Sequence, residues 1–180
     1  MLLTIQQKCI MEILQKLGCI RRDQLLTLLR GRYREQVKAM RPEHLTPMLR
    51  QLVGISRAVC VEGEVIRLTA QTADPLYLEA IDVMLELTSG CPIQFSRSGM
   101  PSALLCFLYG DALTACYIMP LEAGTMPLLH HSKVAETERF IWLTGKTSPC
   151  LRGEIPDGHI FAQQQKDGTH RFFANKHTTL

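Results

Sequence analysis

The chain has 180 residues, 46% of them hydrophobic, and a formal net charge of +3. That apolar content supplies a core for one large or two small domains and excludes a chain disordered over most of its length. The longest apolar runs, such as Ala112 to Pro120, fall short of the roughly 20 residues a membrane span requires, and no basic-then-apolar leader is recognised, so a cytoplasmic protein outside the membrane is expected.

From Thr4, the apolar residues Ile5, Cys9, Ile10, Ile13, Leu14 and Leu17 recur at helical spacing up to Gly18, which predicts a first helix. Cys19-Ile20 then forms a short connector. A second helix, capped by Asp23 or its neighbour, carries Leu25, Leu26, Leu28 and Leu29 and ends at Gly31. A basic connector, Arg32 to Arg41, leads to a third helix over Glu43 to Val53. Its regular part starts at Thr46-Pro47, since proline suits a first turn, and its apolar face is Leu45, Met48, Leu49, Leu52 and Val53. After Gly54 the pattern alternates, and Ala58–Val61 and Val65–Leu68 flank Glu62-Gly63-Glu64 as a hairpin.

Ala73-Asp74-Pro75 makes a short break near Thr72. Charge divides at the same place. Met1 to Thr72 holds twelve Lys and Arg against six Asp and Glu, net +6, whereas Ala73 to Leu180 holds eight against eleven, net −3. Domains 1–72 and 73–180 are therefore expected. In the second, an amphipathic helix from Leu76 to Leu87 ends at Gly90. Six strand-like runs follow: Ile93 to Phe95, Ala103 to Tyr109, Ala112 to Met119, Phe140 to Leu143, His159 to Gln163 and His170 to Ala174. Turns at Tyr109–Ala112 and Lys166–Thr169 join two pairs of them. The fold class is thus α+β: an N-terminal three-helix domain with a hairpin, then a small domain of one helix and a largely antiparallel sheet.

Three helices and a hairpin follow the order of a winged helix, and "LRQLVGISRAVCVEGEVIRLT" resembles the corresponding point of many bacterial winged-helix domains. That resemblance implies a third helix in the major groove and a hairpin beside the backbone. Duplex DNA is then the expected partner. His44, Thr46, Arg50 and Gln51 stand on the exposed side of the third helix, with Arg41 at its approach and Arg57 and Arg67 on the hairpin. Arg50 and Gln51 have the bidentate geometry for guanine and adenine edges, and the other arginines suit phosphates. A solvated basic face that contacts a protein partner is the alternative.

The segment "EIPDGHIFAQQQKDGTHRFFANKHTT" is similar to the end of the replication-relaxation family of bacterial plasmids and integrative elements, which joins a winged helix to a PD-(D/E)xK nuclease-like domain. Pro156-Asp157 and the Lys166-Asp167-Gly168 turn match that pattern. Asn175 and His177 stand where the family has acidic residues. Asp157 alone is a poor magnesium site, because that cation prefers several oxygen ligands. Gln164-x-Lys166 reads as a solvated hairpin tip. The resemblance therefore implies a non-enzymatic DNA-binding accessory protein with a degenerate nuclease-like domain that contacts a partner or a second copy. An active nuclease or nickase and a purely protein-binding adaptor are the rival readings.

Other chemistry finds little support. Seven cysteines, Cys9, Cys19, Cys60, Cys91, Cys106, Cys116 and Cys150, include no CxxC pair and read as reduced, buried thiols. His130, His131, His159, His170 and His177 lack zinc spacing and read as surface residues. Ser96, Ser98 and Ser102 lack a nucleophile elbow, and the glycines match no phosphate loop. No catalytic residue, metal or cofactor is expected, though Glu79, Asp82, Glu86 and Glu154 are carboxylates that could join Asp157.

Overall fold

A computed structural model of the protein describes residues 3–37, 40–121, 134–144 and 155–175. The chain divides into two compact units, Met1–Pro92 and Ile93–Leu180. No helix among the described residues is long and apolar enough to cross a membrane.

In the first unit, α1 (Ile5–Leu17) opens with a capping box: the Gln7 N–H donates to Thr4 Oγ1, and the Thr4 N–H donates to Gln7 Oε1. It buries Cys9, Ile10, Ile13, Leu14 and Leu17, and Gly18, at φ +79°, turns the chain out of the helix. The expected connector is in fact a strand, β1 (Cys19–Arg21), with Cys19 and Ile20 fully buried. Next, α2 (Arg22–Arg30) has Arg21, not Asp23, at its N-cap.

The third helix, α3 (Pro42–Ile55), starts a turn earlier than the sequence suggests, with Pro42 in the first position and Pro47 inside. The interior proline is tolerated because Glu43, whose carbonyl loses its donor, stands on the exposed side with Pro47. Leu45, Leu49 and Leu52 form the buried stripe, while Val53 is exposed rather than apolar-facing. The strands β2 (Val59–Glu62) and β3 (Val65–Leu68) form the hairpin. With β1 they make a three-stranded antiparallel sheet in the order β1-β3-β2.

The last helix of this unit, α4 (Pro75–Thr88), contacts α2 and β1 and so belongs with the N-terminal elements. Its Asp82 receives both ends of the Arg21 guanidinium, at 3.0 and 2.6 Å. Gln24 Nε2 donates to Asp82 Oδ1 at 2.8 Å and to the Leu78 carbonyl at 2.7 Å. Thus the compact units part at Pro92, not at Thr72. The charge split changes with the boundary, because Ala73–Pro92 brings four carboxylates and no Lys or Arg. Met1–Pro92 carries a net +2 and Ile93–Leu180 a net +1. Arg21→Ala should cost about 1–3 kcal/mol of stability, the range for hydrogen bonds to charged groups, because the carboxylate it leaves is 19% exposed. Urea unfolding followed by far-ultraviolet circular dichroism measures this, and an unchanged midpoint would refute it.

The second unit is a six-stranded sheet in sequence order: β4 (Gln94–Arg97), β5 (Leu105–Tyr109), β6 (Thr114–Pro120), β7 (Glu138–Leu143), β8 (His159–Gln164) and β9 (His170–Ala174). The first three strands form an antiparallel meander and β9 returns antiparallel to β8, but the β6–β7 and β7–β8 pairings are parallel. The expected largely antiparallel sheet is therefore mixed, with its parallel part in the centre. Residues 121–137 and 144–158 are long enough for the crossovers that parallel neighbours require.

The sheet register aligns Met119, Trp142, Phe161 and Phe173 in one row, and Tyr117, Phe140 and His159 in the next. Ala103, Met119, Trp142 and Phe161 are buried at the centre of this face. His159 and His170 are buried, not on the surface, with His159 only 1% exposed. The Trp142 indole N–H donates to His159 Nδ1 at 3.0 Å, and the imidazole stacks with Phe140 and Trp142.

An accepting Nδ1 requires neutral imidazole, and burial pushes the His159 pKa below its ordinary 6.5. The unfolded chain then binds the proton more readily than the folded one. Stability is full above about pH 6.5 and falls as the pH drops toward the folded-state pKa, by up to about 1.4 kcal/mol per pH unit. Trp142 is the sole tryptophan, so its fluorescence in urea at several pH values reads this unit. A His159→Gln variant should show a shallower slope; an identical slope would refute the assignment.

Candidate nucleic-acid interface

The outward surface of α3 follows from its buried stripe. With Leu45, Leu49 and Leu52 inward, a rotation of about 100° per residue puts Glu43, Pro47, Arg50 and Gly54 outward, Thr46 and Val53 on one flank, and His44 and Gln51 on the other. The four α3 candidates are all exposed, yet they occupy three stripes and not one.

Their partners differ as well. Arg50 and His44 make no side-chain hydrogen bond or ion pair among the described residues, and the same holds for Arg41, at the α3 N-cap, and Arg57, in the turn before β2. Gln51 Oε1 accepts from Gln7 Nε2 at 3.1 Å, and Gln7 is buried on α1. Gln51 therefore joins α3 to α1, and that bond restrains the amide that pairing with adenine would have to turn toward the base. Arg67 binds the Glu62 carboxylate, and its Nη1 donates to the Thr69 and Gln71 carbonyls at 3.2 and 3.0 Å. Glu62 accordingly has its pKa lowered by the Arg67 hydrogen bond. Arg67 ties off the base of the hairpin instead of standing ready for phosphate.

Arg22, at the start of α2, belongs to this surface as well. Its Nη1 donates to Thr46 Oγ1 at 3.1 Å, its Nε donates to the Gly63 carbonyl at 3.3 Å, and its backbone N–H donates to the Glu64 carbonyl at 2.9 Å. One side chain at the start of α2 thus spans α3 and the β2–β3 turn. The separations are 24 and 41 residues, and no local pattern signals contacts that distant in the chain.

In the second unit, Asp157 is exposed in the turn before β8, and its Oδ1 accepts from Asn175 Nδ2 at 3.1 Å. The amide at the position where the family pattern has an acid is thus a hydrogen-bond donor to Asp157. Gly158 follows at φ +79°, and a Cβ there would lie 2.7 Å from Val134, so this backbone turn is specific to glycine. Lys166 lies beyond the end of β8 at the exposed hairpin tip, where the Thr169 N–H and hydroxyl both donate to Asp167 Oδ1. Those bonds lower the Asp167 pKa. Among the described residues no group of three or more His, Cys, Asp or Glu could hold a metal ion. His130, His131, Glu154 and His177 lie outside the described residues.

All described cysteines are free, but only Cys9, Cys19 and Cys116 are buried; Cys60 and Cys106 are half-buried and Cys91 is exposed. Burial pushes the Cys116 thiol up to about 12, which keeps it protonated and unreactive. Cys150 lies outside the described residues.

The chain matches no protein-family model, no curated protein and no solved structure.

Proposed function

We propose that residues 1–92 form a winged-helix unit that grips duplex DNA, and that the chain is a non-enzymatic accessory or regulatory protein of a bacterial mobile element, of the replication-relaxation type. The observation that carries the reading is the Arg22 bridge. It fixes α3 and the β2–β3 turn to one another, as a helix in the groove and a hairpin on the adjoining backbone require. Arg50 on the outward stripe is the base-reading residue, and Arg41 and Arg57 hold phosphates. The second unit supplies the contact to a protein partner or a second copy. The mobile-element assignment rests on the likeness of residues 154–179 to the family pattern.

Fluorescence anisotropy of the intact protein on duplex DNA tests the reading. On a preferred sequence, Arg50→Ala should lose roughly 1–3 kcal/mol, with a smaller loss on random duplex. Gln51→Ala should instead lower stability, since it strands the buried Gln7 amide. Equal losses on both duplexes would make Arg50 a backbone contact.

The adaptor reading draws on a separate observation. Val53 and Ile55 on α3 are 41% and 38% exposed, and Ile5 on α1 is 61% exposed, while the whole unit carries only +2. Absence of duplex binding at low salt would favour this second reading.

A further inference from the structure

Between the end of α2 and the start of α3, Arg30, Arg34 and Arg41 surround Val37 and Met40 in a cleft of about 320 Å³. Val37 and Met40 are buried and give the cleft an apolar floor. Arg30 Nε donates to the Met40 carbonyl at 2.9 Å, which pins that guanidinium to the wall while its Nη groups make no hydrogen bond among the described residues. Arg41 also lacks a side-chain partner there. Among the described residues Arg34 pairs only with Glu35, at 3.3 Å, and both side chains are largely exposed, an arrangement worth little and easily exchanged.

Among the described residues no carboxylate belongs to the lining of this cleft, and Glu35 meets only its outer edge through Arg34. Three like charges around a common apolar floor repel one another, and an anion among them converts that repulsion into attraction. Guanidinium groups offer paired N–H donors that match phosphate oxygens bidentately. The volume is at the small end of ligand sites, enough for a phosphate with a sugar or base against Val37 and Met40.

We infer that this cleft binds a nucleotide phosphate, with Arg30, Arg34 and Arg41 on its oxygens and the nucleoside over the apolar floor. The phosphate has two chemical sources, a backbone phosphodiester of bound DNA or a free mononucleotide. As a DNA subsite the inference rests on the proposed duplex binding; as a mononucleotide site it stands apart from it.

The test uses the intact protein and two variants, Arg34→Ala and Arg30→Ala/Arg34→Ala. Among the described residues the Arg34 side chain makes no bond beyond its exposed pair with Glu35, so the single variant remains informative if the double variant unfolds. In one arm, deoxyadenosine monophosphate is titrated by calorimetry, with deoxyadenosine as the control lacking phosphate. In the other, duplex affinity is measured against salt. Loss of nucleotide binding by roughly 10-fold in Arg34→Ala, with no binding of deoxyadenosine, supports a mononucleotide site. A salt slope reduced by about 0.9 in Arg34→Ala supports a backbone subsite. If wild-type protein binds no duplex, the DNA reading fails while the nucleotide arm still decides this one. Nucleotide binding and salt slope both unchanged in Arg34→Ala would overturn the inference, as would a wild-type protein that binds neither probe.

Discussion

Binding of the intact protein to random-sequence duplex is expected to weaken on the order of 10²-fold between about 50 and 200 mM salt. The magnitude follows from which cations remain available. Of the twelve Lys and Arg before Ala73, Arg21 is held by Asp82 and Asp23, Arg67 by Glu62, and Lys16 by Glu12. Arg22, Arg41, Arg50 and Arg57 remain on or beside α3 and the hairpin. Four phosphate contacts release counterions with a logarithmic slope of about −3.6, compared with about −5.4 for six. Anisotropy at several salt concentrations measures the slope. A value near zero would remove the electrostatic basis of DNA binding. A value of about −5 or steeper would show that phosphates reach cations beyond these four, as the cleft with Arg30 and Arg34 would require if it holds a backbone phosphate.

Gly31→Ala is expected to destabilise the first unit by about 3 kcal/mol or more, at the top of the range for overpacking. A Cβ at Gly31 would lie 2.2 Å from the Gly90 carbonyl oxygen and 2.7 Å from its carbon. Both are backbone atoms, so no side-chain rotation relieves the clash. The ends of α2 and α4 would have to separate, breaking the Arg32 N–H bond to the Gly90 carbonyl at 3.2 Å. Gly54 is the control: it lies inside α3 and a Cβ there meets nothing within 4 Å. Gly54→Ala should therefore stabilise the protein by about 0.5–1 kcal/mol through helix propensity. Far-ultraviolet circular dichroism during urea unfolding compares the two, and equal midpoints would refute the close approach of α2 and α4.

The candidate interface was only partly legible in the sequence. The period of Leu45, Leu49 and Leu52 places Arg50 outward without further information, because an α-helix has one rotation per residue. It says nothing of Gln51, whose amide is taken by Gln7 from another helix, or of Arg67, whose guanidinium is taken by Glu62 across the hairpin. Charge counted along the chain likewise overstates what a surface offers. The +6 before Ala73 is largely offset within the same compact unit by the four carboxylates of Asp74 and α4.

Local signals determined the four helices, the hairpin after Gly54 and all six strands of the second sheet, since periodicity, glycine turns and capping act over a few residues. Tertiary structure decided the rest. Three residues are too few to display a strand period, so β1 becomes a strand only through its pairing with β3. Strand direction in the second sheet is a property of the pairing between neighbouring strands, which the residues of one strand do not report. The position of α4 depends on Asp82 meeting Arg21 and Gln24, 61 and 58 residues away along the chain. An amphipathic helix shows that it must bury one face, but the partner it buries that face against is fixed by complementary side chains brought together only when the chain folds.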